Sequence, residues 1–245
     1  MERWYIKEIE MSCCDDNSYI SSLAIVKYLN RVKRLSFSQS VTFLVGENGT
    51  GKSTLLEAIA VCAGYNAEGG SKNFNFSTKN TTSNLHQFLT VVKQAREKDG
   101  FFLRAESFYN VASQVDELDR TVPGNYLDGY GGKSLHEQSH GESFLSLVQN
   151  RFRGNGLYFL DEPEAALSPL RQLTLLSEID RLVKRDSQLI IATHSPILLA
   201  YPNARIYQIA NGEIETVAYE ECENYQLTKN FLENPKRFMA YLFEE

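Results

Sequence analysis

The run Gly46-Glu47-Asn48-Gly49-Thr50-Gly51-Lys52-Ser53-Thr54 has the spacing G-x-x-x-x-G-K-S. Residues of these types can wrap a polyphosphate. Glycines let the backbone approach closely and turn its N–H groups inward. The dipole of a helix beginning there favours bound negative charge. Lys52 has the reach to touch β- and γ-phosphates, and the Ser53 hydroxyl is of the type that ligates Mg²⁺. By composition alone the spacing should occur in about one chain in a hundred of this length.

Two further clusters suit the same chemistry. Asp161-Glu162 closes the apolar run Leu157-Tyr158-Phe159-Leu160. An Asp at such a strand end holds the metal beside a phosphate loop, and a second acid next to it can polarise water. Asp161 is therefore the metal-side carboxylate and Glu162 the candidate general base. His194, in Thr193-His194-Ser195-Pro196, follows a third apolar run and is placed to contact the γ-phosphate or the water.

His136-Glu137-Gln138-Ser139-His140 offers a competing chemistry. It reads H-E-x-x-H, the zinc-peptidase pattern, in which two histidines one helical turn apart ligate the metal. Gly141 follows His140 at once and Gly131-Gly132 lie upstream, so the helix that pattern needs is interrupted. A third ligand would have to come from elsewhere, and only His86 and His194 remain as imidazoles. Read as Ser139-His140-Gly141-Glu142 ahead of a helix, the same stretch is an anion-binding helix N-terminus.

The elements that must position these groups follow from hydrophobic periodicity. Residues 1–40 read as strands and connections at a sheet edge. Val41–Val45, Leu157–Leu160 and Gln188–Thr193 read as buried strands, and residues 100–105 as another. Helical spacing marks Lys52–Ala63, residues 85–98, Ser143–Phe152 and Ser168–Lys184, the last with Pro169 in its first turn. Residues 64–84 read as an exposed loop, and Pro123–Lys133 as a polar, glycine-rich stretch. Two strands around 206–209 and 214–219 flank Asn211-Gly212, and a helical tail from Tyr225 is interrupted at Pro235. Continuous apolar strands alternating with helices predict an α/β fold with a mainly parallel sheet covered on both faces.

The net charge of −6 argues against a chain coated in basic surface. A local phosphate-binding face for nucleic acid could still be made by Arg31, Lys33, Arg34, Arg151, Arg153, Lys184 and Arg185. No run approaches 18 apolar residues, and the start of the chain lacks a signal-peptide core, so no transmembrane segment is expected and the expected compartment is the cytoplasm. Cys13, Cys14, Cys62 and Cys222 form no disulfide framework and read as reduced thiols.

Taken in order, these motifs resemble an ATP-binding-cassette ATPase. Gly46–Thr54 resembles Walker A, Ser139-His140-Gly141-Glu142 the signature motif, and Asp161-Glu162 the end of Walker B. Ala166-Leu167-Ser168 resembles the D-loop and His194 the switch histidine. The wording Asp-Glu-Pro-Glu and His-Gly-Glu-Ser-Phe is closest to soluble SMC-like and RecF-like ATPases, and among them to small bacterial AAA-family ATPases without coiled-coil arms. Gln138, His140 and Glu142 depart from the usual L-S-G-G-Q, and Glu106 occupies the Q-loop position, where it would sit near the metal.

The resemblance implies a single P-loop NTPase domain over 1–245 with an N-terminal antiparallel β part. Its core lobe is about 1–63 and 155–245, and its helical signature lobe about 64–154. It implies ATP and Mg²⁺ as ligands, with Ser53 and Asp161 on the metal, and an ATP-dependent homodimer with Ser139, Gly141 and Glu142 acting in trans. It also implies a role in DNA maintenance or anti-phage defence through an effector protein. The alternative is a transport-cassette subunit that docks on a membrane partner.

Overall fold

The computed structural model describes residues 4–12, 19–72, 83–121 and 125–243. In chain order the elements are β1 (Ile6–Met11), α1 (Tyr19–Ser22), α2 (Ala24–Val32), β2 (Arg34–Ser36), β3 (Val41–Gly46), α3 (Lys52–Cys62), β4 (Leu89–Lys93), β5 (Asp99–Arg104) and α4 (Phe108–Thr121). They continue with α5 (His140–Arg151), β6 (Gly156–Asp161), α6 (Pro169–Val183), β7 (Gln188–Ala192), α7 (Pro196–Leu199), β8 (Arg205–Ala210), β9 (Glu213–Val217), α8 (Glu223–Glu233) and α9 (Pro235–Phe243).

Strands β3, β6 and β7 are buried along their whole length, as their unbroken apolar runs require. They sit inside a six-stranded sheet of order β5-β6-β7-β3-β8-β9. All its pairings are parallel except the β8–β9 hairpin, which turns at Asn211 and Gly212, both at positive φ. Alternate residues of β6 feed two cores. Leu157 and Phe159 pack with α2, α3 and the small sheet, whereas Tyr158 and Leu160 pack with α4, α5 and α6. The small sheet is antiparallel, of order β2-β1-β4.

A mainly parallel sheet with flanking helices, an antiparallel N-terminal sheet and a helical insertion is the α/β architecture the sequence predicts. Several local expectations differ. Residues 19–32 are helical rather than extended, because Ile25, Val26 and Leu29 fall on one helical face and bury there. Residues 85–98 make one 3₁₀ turn and then β4. The β-branched Thr90-Val91-Val92 run pairs with β1, and that pairing completes the small sheet.

Residues 64–72 are not a simple exposed loop, since Gly70 is buried and exchanges backbone hydrogen bonds with Phe102. Residues 73–82, Cys13 and Cys14 lie outside the described residues. Helix α4 has no counterpart in the sequence reading, and α5 starts at His140, three residues earlier than expected. Within 64–154, β4 and β5 belong to the sheets, so the helical part runs from α4 to α5.

One side chain ties the two sheets together. Gln188 on β7 is fully buried; its Oε1 accepts the Tyr5 and Ile6 N–H groups, and its Nε2 donates to the Ile6 and Phe37 carbonyls. Deleting it strands several buried backbone groups. Gln188→Ala should lower unfolding free energy by about 3 kcal/mol, a drop of roughly 6–12 °C in melting temperature for a chain of this size. Thermal denaturation reads this directly, and a change under 2 °C would contradict the bridging role.

Candidate functional site at the carboxyl edge of the parallel sheet

Strand β3 ends at Gly46 and α3 starts at Lys52, so the phosphate loop links a central strand to a helix N-terminus. No side chain caps that terminus, which leaves its N–H groups for a ligand. Gly51 takes φ 97°, and a Cβ there would lie 2.7 Å from Ile25 Cγ2. The start of α2 thus presses on the loop, and the Ile25 N–H donates to the Thr50 carbonyl at 3.3 Å. Lys52 Nζ donates to the Gly46 and Glu47 carbonyls, each at 2.8 Å. Burial lowers the Lys52 pKa, while Glu162, Asp161 and Glu164 pull it back up.

Asp161 ends β6, directly across from Arg104 at the end of β5. Burial pushes its carboxyl up to about 6, against the pull of Arg104 and the Ser53 hydroxyl. Arg104 Nε lies 3.4 Å from Asp161 Oδ2, and Nη1 donates to Glu57 Oε2 at 2.7 Å. Asp161 Oδ1 is buried with no geometric hydrogen-bond partner among the described residues.

Glu162 follows in a left-handed conformation, φ 49° and ψ 51°, with its N–H on the Ala192 carbonyl. A non-glycine residue held in this region is strained, and such strain collects at functional sites. His194 Nε2 lies 3.9 Å from Glu162 Oε1, and burial together with the Lys52 charge lowers its pKa, so the ring is neutral at pH 7. A cleft of about 310 Å³ is lined by Ser53, Glu106, His140, Asp161 and Glu162. A second cleft, about 260 Å³, runs along Asn48, Gly49, Gly51, Lys52, Ser53 and Thr54 to Glu162 and Leu23.

Ser139 is the N-cap of α5, and Glu142 at its third position reaches back to it. Glu142 Oε2 accepts from the Ser139 N–H at 3.1 Å and from its hydroxyl at 2.5 Å, and Arg171 Nη2 donates to Oε1 at 3.0 Å. These Ser139 bonds, aided by Arg171, hold the Glu142 carboxyl below its ordinary pKa. Gly141 has no room for a side chain, since a Cβ would lie 2.8 Å from the Ala166 carbonyl.

The structure separates the two histidines of the zinc-peptidase pattern. His136 sits in a 3₁₀ turn, Gln138 is extended, and His140 opens α5. They share no helical face, so the i, i+4 geometry is absent, and His136 Nε2 instead meets the Ser113 hydroxyl at 3.1 Å. Among the described residues no three His, Cys, Asp or Glu side chains converge on a metal position. Of the basic residues suggested for nucleic acid, Arg31, Arg34, Arg151 and Lys184 are each paired with an acid: Glu213, Glu10, Asp99 and Asp180.

Sequence reasoning missed Leu23, Glu57, Arg104, Glu164 and Asn224 around this site. Arg104 stood next to the expected strand end, and the acidic Glu164 within Asp-Glu-Pro-Glu was a visible signal. Glu57 sat inside a helical pattern and Asn224 just ahead of one, with nothing to mark them.

The family model described as "AAA domain" matches residues 24–153, more than half of the chain. The chain belongs to the AAA-domain family. A second family model, "AAA domain, putative AbiEii toxin, Type IV TA system", matches residues 134–200. The AAA-domain chain is 24% identical over 242 residues to the probable branched-chain amino acid transport ATP-binding protein LivG of Archaeoglobus fulgidus, covering 89% of this chain and 90% of that protein. It is 26% identical over 194 residues to the macrolide export ATP-binding/permease protein MacB of Neisseria gonorrhoeae, covering 70% of this chain but spanning only 28% of that protein's length.

Among solved structures, cbiO1 of Clostridium perfringens, part of the ABC transporter complex cbiONQ, superposes with TM-score 0.51 and 19% identity, covering 98% of this chain and 99% of that one. The fold is that of an ATP-binding-cassette P-loop NTPase. No helix among the described residues is long and apolar enough to cross a membrane.

The Asp161 carboxylate carries a pH signature. Its folded pKa lies above the ordinary carboxylate value, so ionising it destabilises the ligand-free fold above pH 6. That cost disappears as pH falls towards 4. Asp161→Asn should therefore stabilise the chelator-treated protein at pH 7.5 by about 2–3 kcal/mol, the gain shrinking through pH 6 and vanishing near pH 4. Denaturant midpoints across that range measure it, and a destabilised variant would mean that the Arg104 attraction outweighs burial.

Proposed function

We propose that the protein is an ATP-dependent dimerisation switch, two copies enclosing two ATP molecules. One observation carries the reading: Lys52, Ser53, Asp161, Glu162 and His194 share one edge, beside an α5 N-terminus whose Ser139 and Glu142 are exposed. In the dimer the first set, in one copy, faces Ser139, Gly141 and Glu142 of the other. The helical lobe, about 64–154, would carry that second set, and the core lobe, about 1–63 and 155–245, the first.

The donor set fits a small hard cation. Ser53 and Asp161 offer hydroxyl and carboxylate oxygens, and Asp161 Oδ1 is buried without a hydrogen-bond partner among the described residues. Ser53 and Asp161 would hold Mg²⁺, with Glu106 at the cleft rim. When bound it neutralises charge on the β- and γ-phosphates. The backbone of residues 46–54 cradles the phosphates, and Lys52 exchanges its two loop carbonyls for phosphate oxygens. Glu162 orients the attacking water and receives its proton. His194, whose Nε2 has no hydrogen-bond partner among the described residues, hydrogen-bonds the γ-phosphate or that water. Ser139 and the α5 N-terminus of the other copy complete the charge cradle. Loss of the γ-phosphate then loosens the dimer.

A defence or DNA-maintenance output with an effector protein is supported by the motif wording and by the toxin named in the second family description. A transport-cassette role is the second reading, supported by the transport function in the LivG name. Stable co-purification with a membrane protein would favour it.

Glu162→Gln protein should form dimers by light scattering with ATP and Mg²⁺ and lose hydrolysis that the wild type shows. A monomer at saturating ATP would sink the switch. At ~100 times the dissociation constant, ATP should raise the wild-type melting temperature by roughly 5–11 °C. Lys52→Ala should abolish that shift, and its persistence would displace Lys52 from the phosphate site.

A further inference from the structure

We propose that Asn224 is a positioning residue for ATP hydrolysis, acting through His194; the inference rests on the role given to His194 above. His194 lies in the connection between β7 and α7. Its imidazole Nε2 is buried, has no hydrogen-bond partner among the described residues, and stands 3.9 Å from Glu162 Oε1. With Nε2 uncommitted, the direction in which the ring aims depends on the backbone beneath it.

That backbone is pinned from both sides. The His194 N–H donates to Glu164 Oε1, and the Thr193 hydroxyl donates to Glu164 Oε2 at 2.7 Å. The His194 carbonyl accepts from Asn224 Nδ2 at 2.9 Å. A carbonyl can only accept, so the amide must present its NH₂, and the orientation of Asn224 is fixed by its partner. The next turn is held by the Tyr219 hydroxyl on the Pro196 carbonyl at 3.0 Å, and Ser195 caps α7 while donating to Gln172 at 2.5 Å.

Asn224 belongs to the first turn of α8, a helix with no buried residue. Its bond to His194 therefore contributes little to the core. Its consequence is local: it holds the torsion that sets the imidazole against Glu162 and the phosphate loop. Glu164 comes from the Walker B side and Asn224 from the C-terminal side, so the loop is clamped between two parts of the chain distant in sequence.

Asn224→Asp keeps the shape and replaces the donor NH₂ by an acceptor facing the carbonyl. In the full chain it should lower the ATPase turnover number by about tenfold, the scale of a misplaced catalytic group. ATP affinity should stay within about twofold, since the phosphate loop is untouched. In a His194→Ala background the same change should leave the residual rate unaltered, because the two act as one unit. Equal fractional losses in both backgrounds would overturn the proposal, as would no loss in Asn224→Asp while His194→Ala is impaired. Wild-type turnover in His194→Ala would instead remove the His194 role itself, and the inference with it.

A second readout does not depend on turnover. The chain has four histidines, so the His194 ring C–H signal can be assigned by its loss in His194→Ala. That signal should shift in ligand-free Asn224→Asp, and in Asn224→Ala should the aspartate variant fail to fold. An unmoved signal in a folded variant would overturn the proposal.

Discussion

Parallel pairing of β5, β6, β7 and β3 brings the carboxyl ends of four strands to one edge, and the rest of the site depends on that constraint. A parallel strand cannot return through a tight turn, so each crossover is a helix on one face of the sheet. The loops leaving the strands then collect at one edge, where open α/β sheets bind ligands. Gly46, Arg104, Asp161 and Ala192 are the strand ends there. Phosphate loop, carboxylate pair and histidine, more than 100 residues apart at the extremes, become neighbours through strand register alone.

Crowding charges at that edge has an electrostatic consequence. Lys52 and Asp161 are buried and His194 is partly buried, and burial works against the charged form of each. Among the described residues no carboxylate pairs with Lys52, whose ammonium rests on neutral carbonyls. Arg104 partly offsets Asp161 and is itself shared with Glu57, so the Asp161 carboxylate is braced on one oxygen and, among the described residues, without a hydrogen-bond partner on the other. A polyanion with its counter-cation is the ligand such an arrangement suits. It would give Lys52 a charged partner and Asp161 Oδ1 a cation.

Legibility in the sequence followed the range of the interactions. The phosphate loop, the Asp161-Glu162 strand end and His194 were readable because each needs only a local pattern: an apolar strand, then a polar group at its end. The central strands were readable for the same reason, being buried on both faces. The misread elements are those whose state is decided by a distant partner. Residues 89–93 look helical by spacing but pair with β1, and residues 24–32 look extended in an N-terminal β segment but pack as a helix on the phosphate loop. Arg104 and Asn224 left no pattern because their significance lies wholly in what the fold places opposite them.

The turn ahead of α5 shows how residues that depart from a familiar motif can still leave a well-formed helix N-terminus. Glu142 stands where a glutamine is usual, yet it occupies the N3 position of α5 and accepts the N–H of the N-cap Ser139. A carboxylate there suits the positive end of the helix dipole. It would oppose a phosphate brought to the same end, but Arg171 binds its other oxygen and shares the charge. His140, in place of a glycine, turns its ring edge-on to Phe108 and lines the cleft that holds Ser53 and Asp161. Gly141 stays glycine because the Ala166 carbonyl leaves no room for a Cβ. The backbone donors of the turn are thus preserved by packing, while the side chains around them are rebalanced by one arginine.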